Sequence, residues 1–354
     1  MFKEEKVYMQ HKLIQLLIVS CWLLLIQTTD TGAQQRPHYT QYILNNYILN
    51  PALTGIENYT DVKLSYRNQW VGFPGAPQTM YASFHTPIGK QDYRTNATSF
   101  QVPGENPRGK SYWEEYTAAE PHHGAGGSIV NYKTGYISRI TATASYAYHL
   151  GLTPKLNLSA GFAGGITSFT IDVSKAELAN PIDPAVGVLS TELRKTRPEL
   201  SAGLWLYSDK FFAGLSAQQI IPQRIALVNN DLYRGSASVP HFFATAGYRF
   251  LVSDDVNILP SVMVRYISSM PTFADVNVKV QYHDKFWVGA NYRIKEGFAA
   301  MAGFHVSNTF NISYAYDVNN ANYLLQFMQR GTHEIVLGFL IGNKWGDTCP
   351  RRVW

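Results

Sequence analysis

The sequence predicts an all-β fold: a transmembrane antiparallel β-barrel of about 14 strands, preceded by an N-terminal non-strand segment placed to plug its lumen. The first observation behind this is the alternation from Phe273 to Val306. Apolar Val276, Val278, Val280 and Tyr282, then Phe286, Val288, Ala290 and Tyr292, interleave with Asn277, Lys279, Gln281 and His283, then Gly289, Asn291 and Arg293. A period of two is the strand period, so each run carries one greasy face and one polar face. The second is length. Each run has about ten residues, enough for a tilted strand to cross a bilayer, and the breaks at Asp284–Lys285 and Lys295–Glu296 leave room only for tight hairpins. The third is that no long apolar run exists beyond the N-terminal one, so a membrane-embedded mature chain must cross as closed strands.

Composition agrees. Of 354 residues, 45% are hydrophobic and 16% are charged, against roughly 25% charged in soluble domains. The 23 tyrosines and 18 phenylalanines suffice for aromatic girdles at both interfaces. The net charge of +5 is modest, and no lysine-arginine run forms a stripe that would hold nucleic acid.

Residues 1–33 read as an export signal. Lys3, Lys6 and Lys12 precede the apolar core Leu13–Ile26, and Thr31-Gly32-Ala33 offers small residues for cleavage. The core continues past Cys21 through Trp22-Leu23-Leu24-Leu25, which opposes a competing lipoprotein-type cut at Ile18-Val19-Ser20-Cys21. Without the signal, Cys349 is the only cysteine, so no internal disulfide forms.

Residues 34–60 form the plug-like segment: Gln41, Asn45, Asn46 and Asn50 interleave with Tyr42, Ile43, Tyr47, Ile48 and Leu49, and Pro51 and Gly55 punctuate the end. Its amides suit the inside of a wet barrel, with Tyr42 and Tyr47 packed on the wall. Residues 61–341 form the barrel. Strands are expected at 62–71, 79–86, 127–134, 138–150, 155–170, 200–207, 210–218, 241–251 and 256–268, then the three runs of 273–306, then 310–317 and 332–341. Residues 342–354 are a tail ending in Trp354.

With both barrel ends in the periplasm, 72–78, 171–199, 219–240 and 318–331 become outward loops. The short 151–154, 208–209, 252–255 and 307–309 become inward turns, as outer-membrane barrels require. The long polar connection 87–126 breaks that rule.

Four elements follow in order over nearly fifty residues: Thr40-Gln41-Tyr42, Asn50-Pro51-Ala52-Leu53-Thr54-Gly55, Tyr66 to Thr79 (YRNQWVGFPGAPQT) and Phe84-His85-Thr86-Pro87. Together they resemble the PorP/SprF family of Bacteroidetes outer-membrane proteins. Weaker echoes follow at Ser145–His149, Tyr314–Asp317, His333-Glu334-Ile335 and Cys349-Pro350-Arg351, so the resemblance spans the mature chain. It departs at Thr40, where the family usually has serine, and in the long, polar residues 91–126.

The resemblance implies an outer-membrane component or partner of the type IX secretion system. Its partners would be periplasmic or outer-membrane secretion proteins, or the C-terminal signal region of a cognate surface protein or adhesin. Binding would support secretion, surface attachment and, in some members, gliding. The motif positions carried over as partner-binding candidates are Gln41, Tyr42, Asn50, Pro51, Gly55, Arg67, Asn68, Gln69, Trp70, Phe73, Gly75 and Pro77. Independently of any family, Trp70 and Phe73 among turn-formers give rigid aromatic area on a loop, the composition binding surfaces favour. The bland alternative makes Trp70 a girdle residue.

Lys63, Arg67, Arg265, Lys279, Arg293 and Glu334 have the parity that faces the lumen, where a charge avoids the ~2–4 kcal/mol cost of lipid mid-plane. They could line a basic pore or pair inside a filled lumen; the plug-like segment favours the second. An outer-membrane channel for small or hydrophobic molecules is the alternative function. No enzyme, cofactor or metal is expected. His122-His123 sits in a Gly/Pro/Glu-rich loop with no third ligand. Gly161, Gly164 and Gly165 lack the Lys-Ser/Thr of a phosphate loop and mark a bend or bulge instead.

Overall fold

The computed structural model describes residues 39–90, 118–172, 193–221, 223–224, 237–253, 256–268, 271–282, 285–294, 296–307, 309–319 and 331–342. Residues 1–33, expected to be an export signal, His283, most of the 87–126 connection and the tail from 343 lie outside these residues.

Fourteen long antiparallel strands close into a barrel. They are β1 (Thr60–Asn68), β2 (Gln78–Ile88), β3 (His122–Thr134), β4 (Ile137–Thr153), β5 (Leu156–Ile171), β6 (Leu193–Tyr207) and β7 (Phe211–Gln218). The ring continues through β8 (His241–Tyr248), β9 (Val256–Ile267), β10 (Phe273–Tyr282), β11 (Phe286–Arg293), β12 (Gly297–His305), β13 (Phe310–Asn319) and β14 (Thr332–Ile341). Each pairs with its neighbours in the chain, and β1 against β14 closes the ring, from Thr60 opposite Ile341 to Asn68 opposite His333. Closure leaves no sheet edge, the condition for strands to stand in hydrocarbon.

The two faces are sorted as the alternation predicts. On β10, Val276 and Val278 are 44% and 40% exposed, while Asn277 and Lys279 between them are 0% and 4% exposed. Across the barrel, Leu64, Tyr66, Phe84, Ile129, Phe162, Leu204, Phe242, Phe298 and Ile335 face out, and Ser65, Arg67, His85, Ser145, Ser159, Arg265, Asn291 and Glu334 are enclosed. Greasy outside and polar inside is the reverse of a soluble core and fits a lipid surround.

Several strand ends differ from the sequence reading, each for a local reason. β3 begins at His122 rather than 127, because Gly124, Gly126 and Gly127 have no side chains to show an alternation. β6 begins at Leu193 rather than 200, because Arg194–Pro198 is polar on both faces. β1 stops at Asn68, before the turn that takes Trp70 to a φ of +49°. β8 ends at Tyr248, and Phe250–Leu251 forms a separate short pairing with β9.

Gly161, Gly164 and Gly165 mark no bulge: the β4–β5 register is unbroken there and shifts between Gly151 and Thr153. The long connection shrinks to 89–121, and His122 is buried in β3 rather than solvated in a loop. Its ring stacks on His149 at 4.4 Å and 3°. His123, the next residue, faces out against Tyr146 and Tyr148.

Residues 40–55 cross the lumen as three 3₁₀ turns, Tyr42–Leu44, Asn46–Ile48 and Pro51–Leu53. Pro51 opens the last, capped by the Asn50 side chain, which accepts from the Ala52 N–H. So short a chain cannot satisfy its own polar groups, and the wall does it. Gln41 Nε2 donates to the Glu334 carbonyl (2.9 Å) and Asn45 Nδ2 to Ser83 Oγ (3.0 Å). Asn50 Nδ2 donates to the carbonyls of Leu204 and Leu215 (3.0 and 3.2 Å), Ser159 Oγ to that of Ala52 and Gln218 Nε2 to that of Leu49. Ile43, Tyr47, Ala52 and Leu53 pack on Trp205, Tyr207, Phe212 and Leu259, while Tyr42 and Leu49 pack on Phe243 and Met263.

Wall glycines make the close approach possible. A Cβ on Gly161 would lie 2.5 Å from the Pro51 carbonyl oxygen, and one on Gly124 or Gly203 would strike Thr54 or Asn50. Gly55 leaves the segment at a φ of +76°, with its α-carbon against Gly124.

Two outcomes follow from this arrangement. Val278→Arg, at the centre of an outward row, lowers barrel stability in lipid by about 2–4 kcal/mol, whereas Asn277→Ser beside it costs far less; equilibrium unfolding in bilayers reads the difference. Gly161→Leu leaves the barrel closed but unseats the segment at a cost of about 1–3 kcal/mol, seen as protease cleavage within residues 39–59 of a barrel that still shifts mobility on heating.

Candidate functional site

One rim of the barrel carries the first, third and later odd connections, and the fourteen strands bring most of the sequence-selected residues to it. Arg67, near that end of β1, stands opposite Glu334 of β14. Its guanidinium donates to Glu334 Oε2 at 2.7 Å and to Asp317 Oδ2 of β13 at 2.8 Å. Arg67 also donates to the Thr40 hydroxyl, which in turn donates to Asp317, while the Thr40 N–H donates to Glu334 Oε2 at 2.9 Å. The start of the described chain is thereby locked to the rim end of the lumen, and Gly55 reaches the other end, where its N–H donates to His85 Nδ1 at 3.2 Å. A hydroxyl is what the lock needs, and threonine at position 40 supplies it.

Arg293, Arg265 and Lys63 are neutralised in the same manner. Arg293 lies 3.4 Å from Glu296 and 3.7 Å from both Asp275 and Asp317. Arg265 lies 3.8 Å from Glu296 and over the Phe273 ring. Lys63 pairs with Asp61, which also faces His85 at 3.6 Å. Lys279 lines a small cavity with Leu44, Gln281 and Trp287. Buried charges of this kind persist only when paired and hydrogen-bonded. This side of the wall is therefore a set of alternating signs and not a basic surface.

The motif continues from Arg67 directly into the rim loop. Asn68 pairs with Gln78, and the Gln69 N–H to Pro77 carbonyl bond (2.9 Å) closes the loop. Inside it, the Phe73 N–H donates to the Trp70 carbonyl and the Ala76 N–H to the Phe73 carbonyl, both at 3.1 Å. Outside it, Val71 and Trp70 donate to Gly331 and to the Thr332 hydroxyl of β14, and Gly135 of the β3–β4 turn donates to the Gly75 carbonyl. Gly72 and Gly75 supply φ values of +95° and +72° that let the chain fold back.

Of the two loop aromatics, Phe73 is 42% exposed and Trp70 is half-buried. Between this loop and the β3–β4 turn lies a groove of ≈ 360 Å³, lined by Asn68, Val71, Phe73, Gln78 and Lys133 among others. The sequence-selected residues thus fall into two linked groups. Gln41, Tyr42, Asn50, Pro51 and Gly55 hold the segment in the lumen, and Arg67–Pro77 joins that lock to the rim.

Sequence reasoning named Thr40 and Asp317 only as parts of family motifs and passed over Asp61 and Asp275. It also passed over Trp205, Phe212 and Trp287, the inward aromatics that seat the segment. Their signal was parity: each shares the face of the polar residues on its own strand. Among the described residues no group of three or more His, Cys, Asp or Glu is placed to hold a metal.

Among solved structures the chain is similar to the Acinetobacter baumannii outer membrane protein Omp33, at 10% identity and a TM-score of 0.45 over 81% of this chain and 100% of that chain. It is also similar to the Ralstonia pickettii toluene transporter TbuX (11%, 0.45, 88% and 96%) and to a Pseudomonas aeruginosa FadL homologue (11%, 0.41, 89% and 98%). No curated protein matches the chain. The family described as type IX secretion system membrane protein PorP/SprF matches residues 31–339, nearly the whole length. The chain belongs to the PorP/SprF family of type IX secretion system membrane proteins and is an outer-membrane β-barrel.

Proposed function

We propose that this barrel serves type IX secretion as a closed binding partner rather than as a conduit. Its Asn68–Pro77 rim binds a machine protein or the C-terminal signal region of a cognate surface protein, supporting that protein's secretion and attachment. The observation that carries the reading is the continuity of Arg67 with the rim loop. One residue neutralises the lumen carboxylates and holds Thr40, and the next ten build an exposed groove. A rim so braced is pre-organised, which lowers the ordering cost of binding. Phe73 supplies the exposed aromatic anchor, and Trp70 stiffens the loop beneath it.

The alternative, a channel for small or hydrophobic molecules, is opposed by the crossing segment. The cavity beside it, lined by Tyr39, Tyr47 and Arg139, is ≈ 60 Å³, room for a few waters and too small for a hydrocarbon ligand.

Affinity isolation from native outer membranes tests the binding role. The wild-type barrel co-isolates secretion or surface proteins, and Trp70→Ala/Phe73→Ala folds normally but loses them; an unchanged set of partners contradicts the assignment. Planar bilayers test the closed state. The wild type conducts far less than an open porin. Arg67→Met strands Glu334 and Asp317 at a cost of about 3–5 kcal/mol, freeing the Thr40 end and raising conductance or its noise. Porin-like conductance in the wild type contradicts closure.

A further inference from the structure

Three cations on the inner wall near the same rim stand outside the neutralised network. We infer that Arg139, Lys195 and Arg197 bind an acidic, extended stretch of polypeptide. This rests on the reading that the rim's partner is a polypeptide, but the cation patch itself does not.

Strand register sets the patch. Tyr132, Arg139, Phe169 and Lys195 form one row across β3–β6, and Val130, Thr141, Thr167 and Arg197 form the next row inward. Glu199 and Ser201 of β6 are buried on the lumen face, and Arg197 and Lys195 continue their parity toward the rim; Arg194, Thr196 and Pro198 between them are exposed.

On the opposite wall every arginine described above lies within 4 Å of a carboxylate. Among the described residues none lies so near Arg139, Lys195 or Arg197, and the one carboxylate of the patch, Glu199, accepts from Thr167 Oγ1 at 2.6 Å. Arg139 instead borders the ≈ 60 Å³ cavity with Tyr39, Tyr132, Ser128 and Thr141. Like charges on one wall repel, and an incoming anion relieves them.

Spacing selects the kind of anion. Lys195 and Arg197 are two residues apart on one strand, about 6.6–6.8 Å, the distance at which alternate side chains leave an extended peptide. Arg139 lies two strands from Lys195, about 10 Å away at the backbone, so a compact anion meets one or two of the three at a time. Carboxylates at alternate positions reach all of them, and both arginines offer bidentate forks. The patch faces the lumen, which excludes a lipid headgroup. It also adjoins the rim groove: Tyr132 faces the cavity, and the next residue, Lys133, lines the groove beside Phe73.

The test uses the full-length barrel in detergent and a fluorescent peptide of alternating Glu and Ser, with a Gln/Ser peptide as control. The Glu peptide binds and weakens as salt rises. Lys195→Gln/Arg197→Gln and Arg139→Gln each reduce affinity by about tenfold or more, while Lys285→Gln at the opposite rim changes nothing. Each variant must keep its heat-dependent gel mobility. Should one misfold, the Glu peptide still protects Lys195 of the wild type from amine acylation.

Equal binding of the Gln peptide, full affinity in the combined variant, or displacement by inorganic phosphate at concentrations matching the peptide overturns the inference. Loss of peptide binding with native partners still co-isolating sinks this site alone. Absence of native partners with peptide binding intact sinks the broader reading instead.

Discussion

Hydrocarbon offers no hydrogen bonds, and the structure is arranged around that fact. Every strand backbone must be paired by another strand, so the sheet closes where β1 meets β14. A charge at the depth of the hydrocarbon must turn inward, and on the wall where β1, β13 and β14 meet it finds an opposite sign there. Arg67, Asp317 and Glu334 converge because three strands carry lumen-facing ionisable groups to one level of the wall. An apolar lumen of the same volume would hold no such register. The N-terminal segment follows from the same constraint, since a polar wall enclosing a narrow bore needs polar partners, and the segment supplies amides and hydroxyls in turn.

The barrel itself was legible in the sequence where strands cross lipid on one face and meet polar groups on the other. From Phe273 to Arg293, where the residues are described, the predicted rows stand as read. Legibility failed where one of those environments was missing. The glycines of β3 erase the pattern because they have no side chain to place; Thr54 and Gly55 press against Gly124, and the Phe84 carbonyl, His85 and Tyr47 against Gly126. Arg194–Pro198 shows no alternation because that end of β6 carries polar groups on both faces. The candidate rim was legible in part. The motif run from Tyr66 to Thr79 marks it, but nothing local says that Arg67 and Phe73 serve different ends of one device. His122 misleads for the opposite reason: a Gly/Pro-rich neighbourhood reads as a loop, yet its ring is buried by a partner on the adjacent strand that the sequence does not place beside it.

The lumen is asymmetric in charge. The wall built from β9–β14 and β1 is internally compensated, which rigidifies it around the segment's first residues. The wall built from β4–β6 is longer, with strands of 17, 16 and 15 residues, and among the described residues its three cations have no carboxylate within 4 Å. One side of the barrel is thus a lock and the other an open electrostatic surface. Both reach the rim that carries Phe73.

The two-faced wall is tested most directly by spin labels placed singly from Val276 to Gln281 in the barrel reconstituted into lipid. Relaxation by oxygen dissolved in the bilayer should rise at positions 276, 278 and 280 and fall at 277, 279 and 281. A reversed alternation, or equal accessibility along the strand, would contradict the account.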